Sequence, residues 1–330
     1  MNHGHIHGQV KLLRDAGAEF VSYFAPEPEL QAEFGRAFPE AHLARSEAEI
    51  LEDPSIHLIA SAGIPAERGP LGVRVMQHGK DYLSDKPAFT TLEQLDHARQ
   101  VQAETGRIFA VDYGERLENR ATVKAAELVR AGAIGQVVNT VGLGPHRARF
   151  ETRPDWFFVR ERFGGILIDI ASHQFDQFLY FTQATEVEIV ASTVANYQHP
   201  HYPEFEDFGE VLLRTATATG YVRVDWFTPE GLNTWGDTRL TVIGSDGYVE
   251  VRKNIDVAGR PGSDHLFLVD QKGTHYIDCQ GVELPFGRQL LDDIRNRTQT
   301  ALPQEHAFLA MELALRAQEK AARVGYLSTP

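Results

Sequence analysis

The stretch DYLSDKPAFTTLEQLDHARQVQAETGRIFAVDY (81–113) decides the fold. Its two ends, DYLSDKP (81–87) and RIFAVDY (107–113), are short runs of apolar, aromatic and β-branched residues, which predicts strands. Between them, TLEQLDHARQVQAETG (91–106) sets Leu92, Leu95, Ala98 and Val101 on one helical face, with Gly106 as a C-terminal stop. Strand, helix and strand in so short a span imply parallel strands joined by a crossover helix.

The pattern extends toward the N-terminus. EFVSYFA (19–25) reads as a strand ended by Pro26, and IHLIASAG (56–63) as a strand buried on both faces. GPLGVRVMQHG (69–79) is the helical segment that follows. Near residue 115 the pattern changes. After helices at 120–132 and near 166–181, strands follow one another at 186–196, 209–227, 239–253 and 265–279, with TATG and SDG turns that predict hairpins. Helices at 286–298 and 303–324 close the chain. The expected architecture is an α/β, Rossmann-like N-terminal domain (1–116) followed by an α+β C-terminal domain (117–330) with a large, mainly antiparallel sheet.

Composition narrows the function. A chain of 330 residues with 42% hydrophobic and 24% charged residues has material for two cores. The formal charge of −14 argues against nucleic acid and against an anionic membrane surface, and favours a small-molecule partner. With a single cysteine, Cys279, no intramolecular disulfide can form. No signal peptide or bilayer-spanning run is present, so a cytoplasmic protein is expected.

Two motifs carry chemistry. In GGILIDIASHQFDQ (164–177), Asp169 and His173 stand four apart, which on one helix places carboxylate and imidazole on one face. A carboxylate beside an imidazole favours the imidazolium and suits a proton acceptor near neutral pH. Gly164 and Gly165 leave room for a ligand or another backbone. In DKP (85–87), Lys86 follows directly on a strand, and ligands of parallel sheets bind beyond the carboxyl ends of strands.

Taken in order, GKDYLSDKP, VDYGER and GGILIDIASHQFD resemble the Gfo/Idh/MocA family of NAD(P)-dependent oxidoreductases over nearly the whole chain. DKP is similar to that family's E-K-P turn, with Asp85 for the glutamate, and GGILIDIASH to its G-G-x-L-x-D-x-x-x-H element. The resemblance implies a dinucleotide-binding domain at 1–116 and a substrate and oligomerisation domain at 117–330. It implies that His173 takes the proton of a sugar or polyol hydroxyl while hydride passes to the nicotinamide. Lys86 would hydrogen-bond the same oxygen and Asp169 would orient the histidine. It further implies cofactor contacts from Asp85, Lys86, Pro87, Gly63, Ile64, Pro65 and Arg116. Trp156 stands where relatives place an aromatic near substrate, and His146 and Trp235, with Asp237, lie in loops that could line the pocket. No metal is expected. A homodimer or homotetramer through the C-terminal sheet is.

The opening NHGHIHG (2–8) is placed as a phosphate loop before a helix at 9–17, with His3, Gly4, His5 and Ile6 as cofactor contacts. It departs from G-x-G-x-x-G spacing, and the strand expected before it is missing. The strands at 19–25 and 56–63 are thereby expected to lack a shared central partner. A native start upstream, a truncation or a damaged cofactor site would each account for that. Glu27, just past the strand at 19–25, is the acid available for ribose hydroxyls, which favours NAD over NADP. Two other readings compete: a non-catalytic sugar- or nucleotide-binding protein on the same fold, and a metal-dependent hydrolase using His3 and His5.

Overall fold

The computed structural model describes residues 2–326. They divide into two units, one of residues 2–112 with Pro285–Phe308, the other of residues 113–284 with 309–326. The division therefore falls at Asp112 rather than 116, and the helix Phe286–Asn296 returns to the first unit. Among the described residues no helix is long and apolar enough to cross a membrane.

The first unit holds five short strands: β1 (Ser22–Tyr23), β2 (His42–Leu43), β3 (Leu58–Ser61), β4 (Asp81–Asp85) and β5 (Phe109–Asp112). All pairings are parallel, as expected, but they make two sheets, β1–β2 and β3–β4–β5. The side chains of both β1 and β3 line a cavity of about 1000 Å³, among them Tyr23, Leu58 and Ile59. Consequently Leu58, Ile59 and Ala60 are only half-buried, which corrects the expectation of a strand covered on both faces. The fully covered strands are β4, between two parallel neighbours, and β5 beside it.

The helix Pro65–Gln77 seats on β4 through two glycines one turn apart. A Cβ on Gly69 would lie 2.6 Å from Phe89 Cδ1, and one on Gly72 would lie 2.6 Å from Tyr82 Cδ1. The helix Leu92–Thr105 ends as expected at Gly106, whose φ of 64° suits a residue without Cβ. The first helix is longer than expected. It runs His5–Asp15 and buries Ile6, Gln9, Val10 and Leu13, so most of the anticipated glycine loop is helical.

The second unit is built on one nine-stranded sheet in the order β13-β12-β11-β10-β6-β9-β8-β7-β14. In chain order these are β6 (Val137–Pro145), β7 (Glu188–Asn196), β8 (Phe208–Arg214), β9 (Thr219–Asp225), β10 (Arg239–Gly244), β11 (Tyr248–Arg252), β12 (His265–Asp270), β13 (Gly273–Ile277) and β14 (Ala322–Gly325). Six pairings are antiparallel; β6–β9 and β14–β7 are parallel. The helix expected over 303–324 stops at Lys320, and Ala322–Gly325 form the edge strand β14. The helix Ser172–Thr182 comes close to β6 because Gly142 and Gly144 face it. A Cβ on Gly142 would stand 2.8 Å from Gln174 Cγ. Alternate residues of the outer strands, such as Leu240, Val242, Val249, Val251 and Leu266, bury one face against Ala121, Ala125 and Phe181.

Candidate functional site

In the first unit the chemistry gathers where β4 ends. Asp85, Lys86 and Pro87 are buried, Asp85 being 2% and Lys86 7% exposed. Asp85 Oδ1 lies 3.0 Å from His5 Nδ1, and Asp85 Oδ2 lies 3.1 Å from Arg68 Nη2. Burial opposes ionisation of Asp85, but the charge and hydrogen bond of His5 and the charge of Arg68 outweigh it. They hold its carboxyl below the ordinary carboxylate range. His3 stacks edge-on against His5 with ring centres 4.0 Å apart. Burial first, then the neighbouring His5, lowers its pKa to about 3 against the pull of Asp85.

His3, His5 and Asp85 bring one ligand atom each within 4.8 Å of one another, the geometry a metal-binding reading would need. The chemistry of the set is against a dication. Arg68 already brings a fixed positive charge to the same buried carboxylate, and like charges at such range repel.

Glu27, past the end of β1, is held by Asn2, whose Nδ2 donates to Oε1 at 2.9 Å. Its other oxygen, Oε2, is buried with no hydrogen-bond partner. A carboxylate oxygen in that state is an acceptor awaiting a donor, and a ribose hydroxyl supplies one. Gly4 has open space on its Cβ side, whereas a Cβ on Gly63 would meet Ser61 Oγ at 3.5 Å. Ile64 and Pro65 are buried at the start of the helix that follows β3, with Pro65 at its first position. These residues fit a dinucleotide: a helix N-terminus, a small residue before it and a free acceptor beyond the neighbouring strand.

In the second unit, Asp169 and His173 do not share one helix. Asp169 ends the short helix Ile166–Asp169, and His173 opens Ser172–Thr182, with Ile170 and Ala171 in the turn between. The turn arises because Gly165, at φ 114°, starts a first turn that closes by Asp169 N donating to Gly165 O at 2.8 Å. The His173 amide then donates to Ile170 O at 3.2 Å. The space at Gly165 goes to protein, since a Cβ there would meet Gln318 Cδ at 2.6 Å and Glu206 Oε2 at 2.8 Å. His173 is 6% exposed and faces Tyr113 edge-on at 6.5 Å.

Arg116 is buried in a bidentate pair with Asp176, at 2.7 and 2.8 Å, and lies over the Tyr180 ring at 4.4 Å. His146 joins an aromatic group, 4.5 Å from Trp235 and 5.5 Å from Trp226. Lys253 Nζ sits 5.4 Å over Trp235. Around that group Trp226 Nε1, Thr228 Oγ1, Asp237 Oδ1 and Thr238 Oγ1 are buried without hydrogen-bond partners. Trp156 is half-buried and 6.1 Å from Phe157.

Sequence reading passed over Arg68, Asn2 and Asp176. One signal for Arg68 was present: a cation in the first turns of a helix opposes the helix dipole, and such a placement asks for a reason.

Comparison with known proteins matches residues 122–250 to the GFO/IDH/MocA C-terminal domain. A crystal structure from Erwinia carotovora atroseptica, described as a candidate oxidoreductase, is 46% identical. It covers 98% of both chains with a TM-score of 0.96. The scyllo-inositol 2-dehydrogenase (NAD⁺) of Bacillus subtilis is 24% identical over 276 residues, 83% of this chain and 75% of that protein. The NADP⁺-dependent scyllo-inositol 2-dehydrogenase of the same organism is 30% identical over 155 residues, 45% of this chain and 41% of that one.

Proposed function

The chain belongs to the Gfo/Idh/MocA family of oxidoreductases, and from that premise we propose that it moves a hydride between NAD and a CH–OH carbon of a sugar or polyol. The observation that carries the reading is Glu27, with one oxygen held by Asn2 and the other buried and unpartnered. The carboxylate charge of Glu27 would repel a 2′-phosphate, which supports NAD over NADP. Asn2, Gly4, Glu27, Gly63 and Ile64 would hold the dinucleotide. Bound nicotinamide supplies the hydride acceptor or donor.

The remaining chemistry belongs to the chain's own side chains. His173 takes the proton from the reacting hydroxyl, and Asp169 steadies the charge that results. Lys86, desolvated at the end of β4, donates to the reacting oxygen, where a preorganised cation stabilises a developing alkoxide. His146, Trp235 and the unpartnered Thr228 Oγ1, Asp237 Oδ1 and Thr238 Oγ1 suit a ligand rich in hydroxyls. Assembly of copies through the sheet of the second unit is part of the same reading, and sedimentation tests it.

A panel of sugars and polyols, scyllo-inositol among them, scanned with NAD and with NADP by absorbance of the reduced cofactor, tests the reaction. Turnover with NAD is expected. Lys86→Ala and His173→Ala are expected to lose roughly 10²–10⁴-fold in kcat while NADH binding, followed by its fluorescence, survives. Turnover equal to the parent in either variant would overturn the assignment of that residue.

A further inference from the structure

We propose that Arg68 is a positioning residue: its buried guanidinium sets the turn that carries Lys86. The proposal rests on the reading above that Lys86 serves the reacting oxygen. Arg68 is 1% exposed, among the largest wholly buried side chains of the protein. Its Nε donates to Gly63 O at 2.7 Å. Its Nη1 donates to Lys86 O, and to Pro87 O at 3.2 Å, while Nη2 pairs with Asp85 at 3.1 Å. One planar fork thus holds the loop after β3 and all three residues of the turn after β4.

The arrangement brackets Lys86. The residue before it is anchored by its side chain, and Lys86 itself and the residue after it by their carbonyls. A backbone held on both sides leaves its side chain a narrow range of directions, and misplacement of a reacting group by about 1 Å can cost on the order of 100-fold in rate. Only arginine offers five donors in a plane; a lysine keeps the charge but is a point donor without the fork. Asp85 extends the network to the N-terminal helix through His5, so Arg68 reaches the segments proposed to meet cofactor through a single carboxylate.

The test is lysine labelling on the whole chain without cofactor. Reductive methylation by formaldehyde and borohydride is followed residue by residue by mass spectrometry in the parent, in Arg68→Lys and in Asp85→Asn. Lys80 is the internal control: it is 4% exposed, lies in the same unit, and its Nζ donates to Ile56 O at 2.8 Å, away from the Arg68 network. Lys86 is expected to label several-fold faster in both variants while Lys80 keeps the parent rate. An unchanged Lys86 overturns the proposal. A joint rise of Lys80 and Lys86 also overturns it, because Arg68 would then only support the unit as a whole. Should Arg68→Lys fail to fold, Asp85→Asn alone decides between these outcomes.

Turnover supplies a second arm. Arg68→Lys is expected to lower kcat roughly tenfold with NADH affinity little changed, and to cost nothing further in a Lys86→Ala background. An equal loss in both backgrounds means that Arg68 acts elsewhere. Full turnover by Lys86→Ala itself would instead defeat the reading of Lys86, and leave the labelling result to stand on its own.

Discussion

The turn after β4 and the loops around Trp226 both hold buried polar groups, yet they are wired differently. At the turn, the guanidinium of Arg68 has four partners from the chain, and the carboxylate of Asp85 is shared between a hydrogen bond at Oδ1 with His5 and an ion pair at Oδ2 with Arg68. Around Trp226, four buried donors or acceptors have none. A group that must stand still is fixed by partners from its own chain, whereas a surface that must recognise hydroxyls keeps hydrogen-bonding capacity to offer. An unmade bond in the second place is a cost in stability that a ligand can recover.

The largest effect is expected from Asp85→Leu. It strands the Arg68 charge in the interior, and loss of about 3–5 kcal/mol is expected in urea unfolding of the whole chain. A loss below about 1 kcal/mol would show that water reaches Arg68, and the contrast between the two regions would fail. Next comes Gly72→Ala, which drives a methyl into the Tyr82 and Phe109 rings, both wholly buried. The helix Pro65–Gln77 must then lift from β4, costing about 1–3 kcal/mol and raising the labelling rate of Lys86.

Thr238→Val is the reverse probe. Its hydroxyl has no partner, so a methyl of the same shape should change stability by less than about 1 kcal/mol in either direction. On an accepted sugar the same variant is expected to raise KM several-fold with kcat held. A stability loss above about 2 kcal/mol would show that Thr238 is already satisfied within the fold.

The smallest effect is expected in acid. His3 is neutral in the folded protein, with a pKa lowered from 6.5 to about 3, so below pH 6.5 the unfolded chain takes up a proton that the folded one refuses. Its contribution is complete above pH 6.5 and declines as pH falls toward 3. A third of its side chain is exposed, and solvent screening keeps the effect small. His3→Asn should therefore shrink slightly the difference between melting temperatures at pH 7.5 and 4.5. An unaltered difference would remove His3 from the network around Asp85.

Much of this was legible in the amino-acid order, because the signals were local. The apolar run of 81–85, the periodicity of 92–101 and the positive φ of Gly106 are properties of neighbouring residues, and they placed β4, its crossover helix and the lysine at the strand end. The TATG and SDG signals likewise announced the hairpins β8–β9 and β10–β11, although Gly220 lies within β9 and not in the turn. Spacing misled where a helix was assumed to continue: Asp169 and His173 sit at helical distance, but Gly165 starts a separate turn that ends between them.

Pattern along the chain therefore determined the two kinds of sheet, the parallel order of the first unit and the residue types available for proton and hydride chemistry. What only the tertiary structure decided is which of those residues are held and by what. That Arg68 lies under the β4 turn depends on Gly69 and Gly72 bringing its helix against Phe89 and Tyr82. That Asp85 meets His5 depends on contact across eighty positions of chain. Secondary structure is written in neighbours, but the desolvation and fixed geometry that give a side chain its chemistry come from partners distant in sequence.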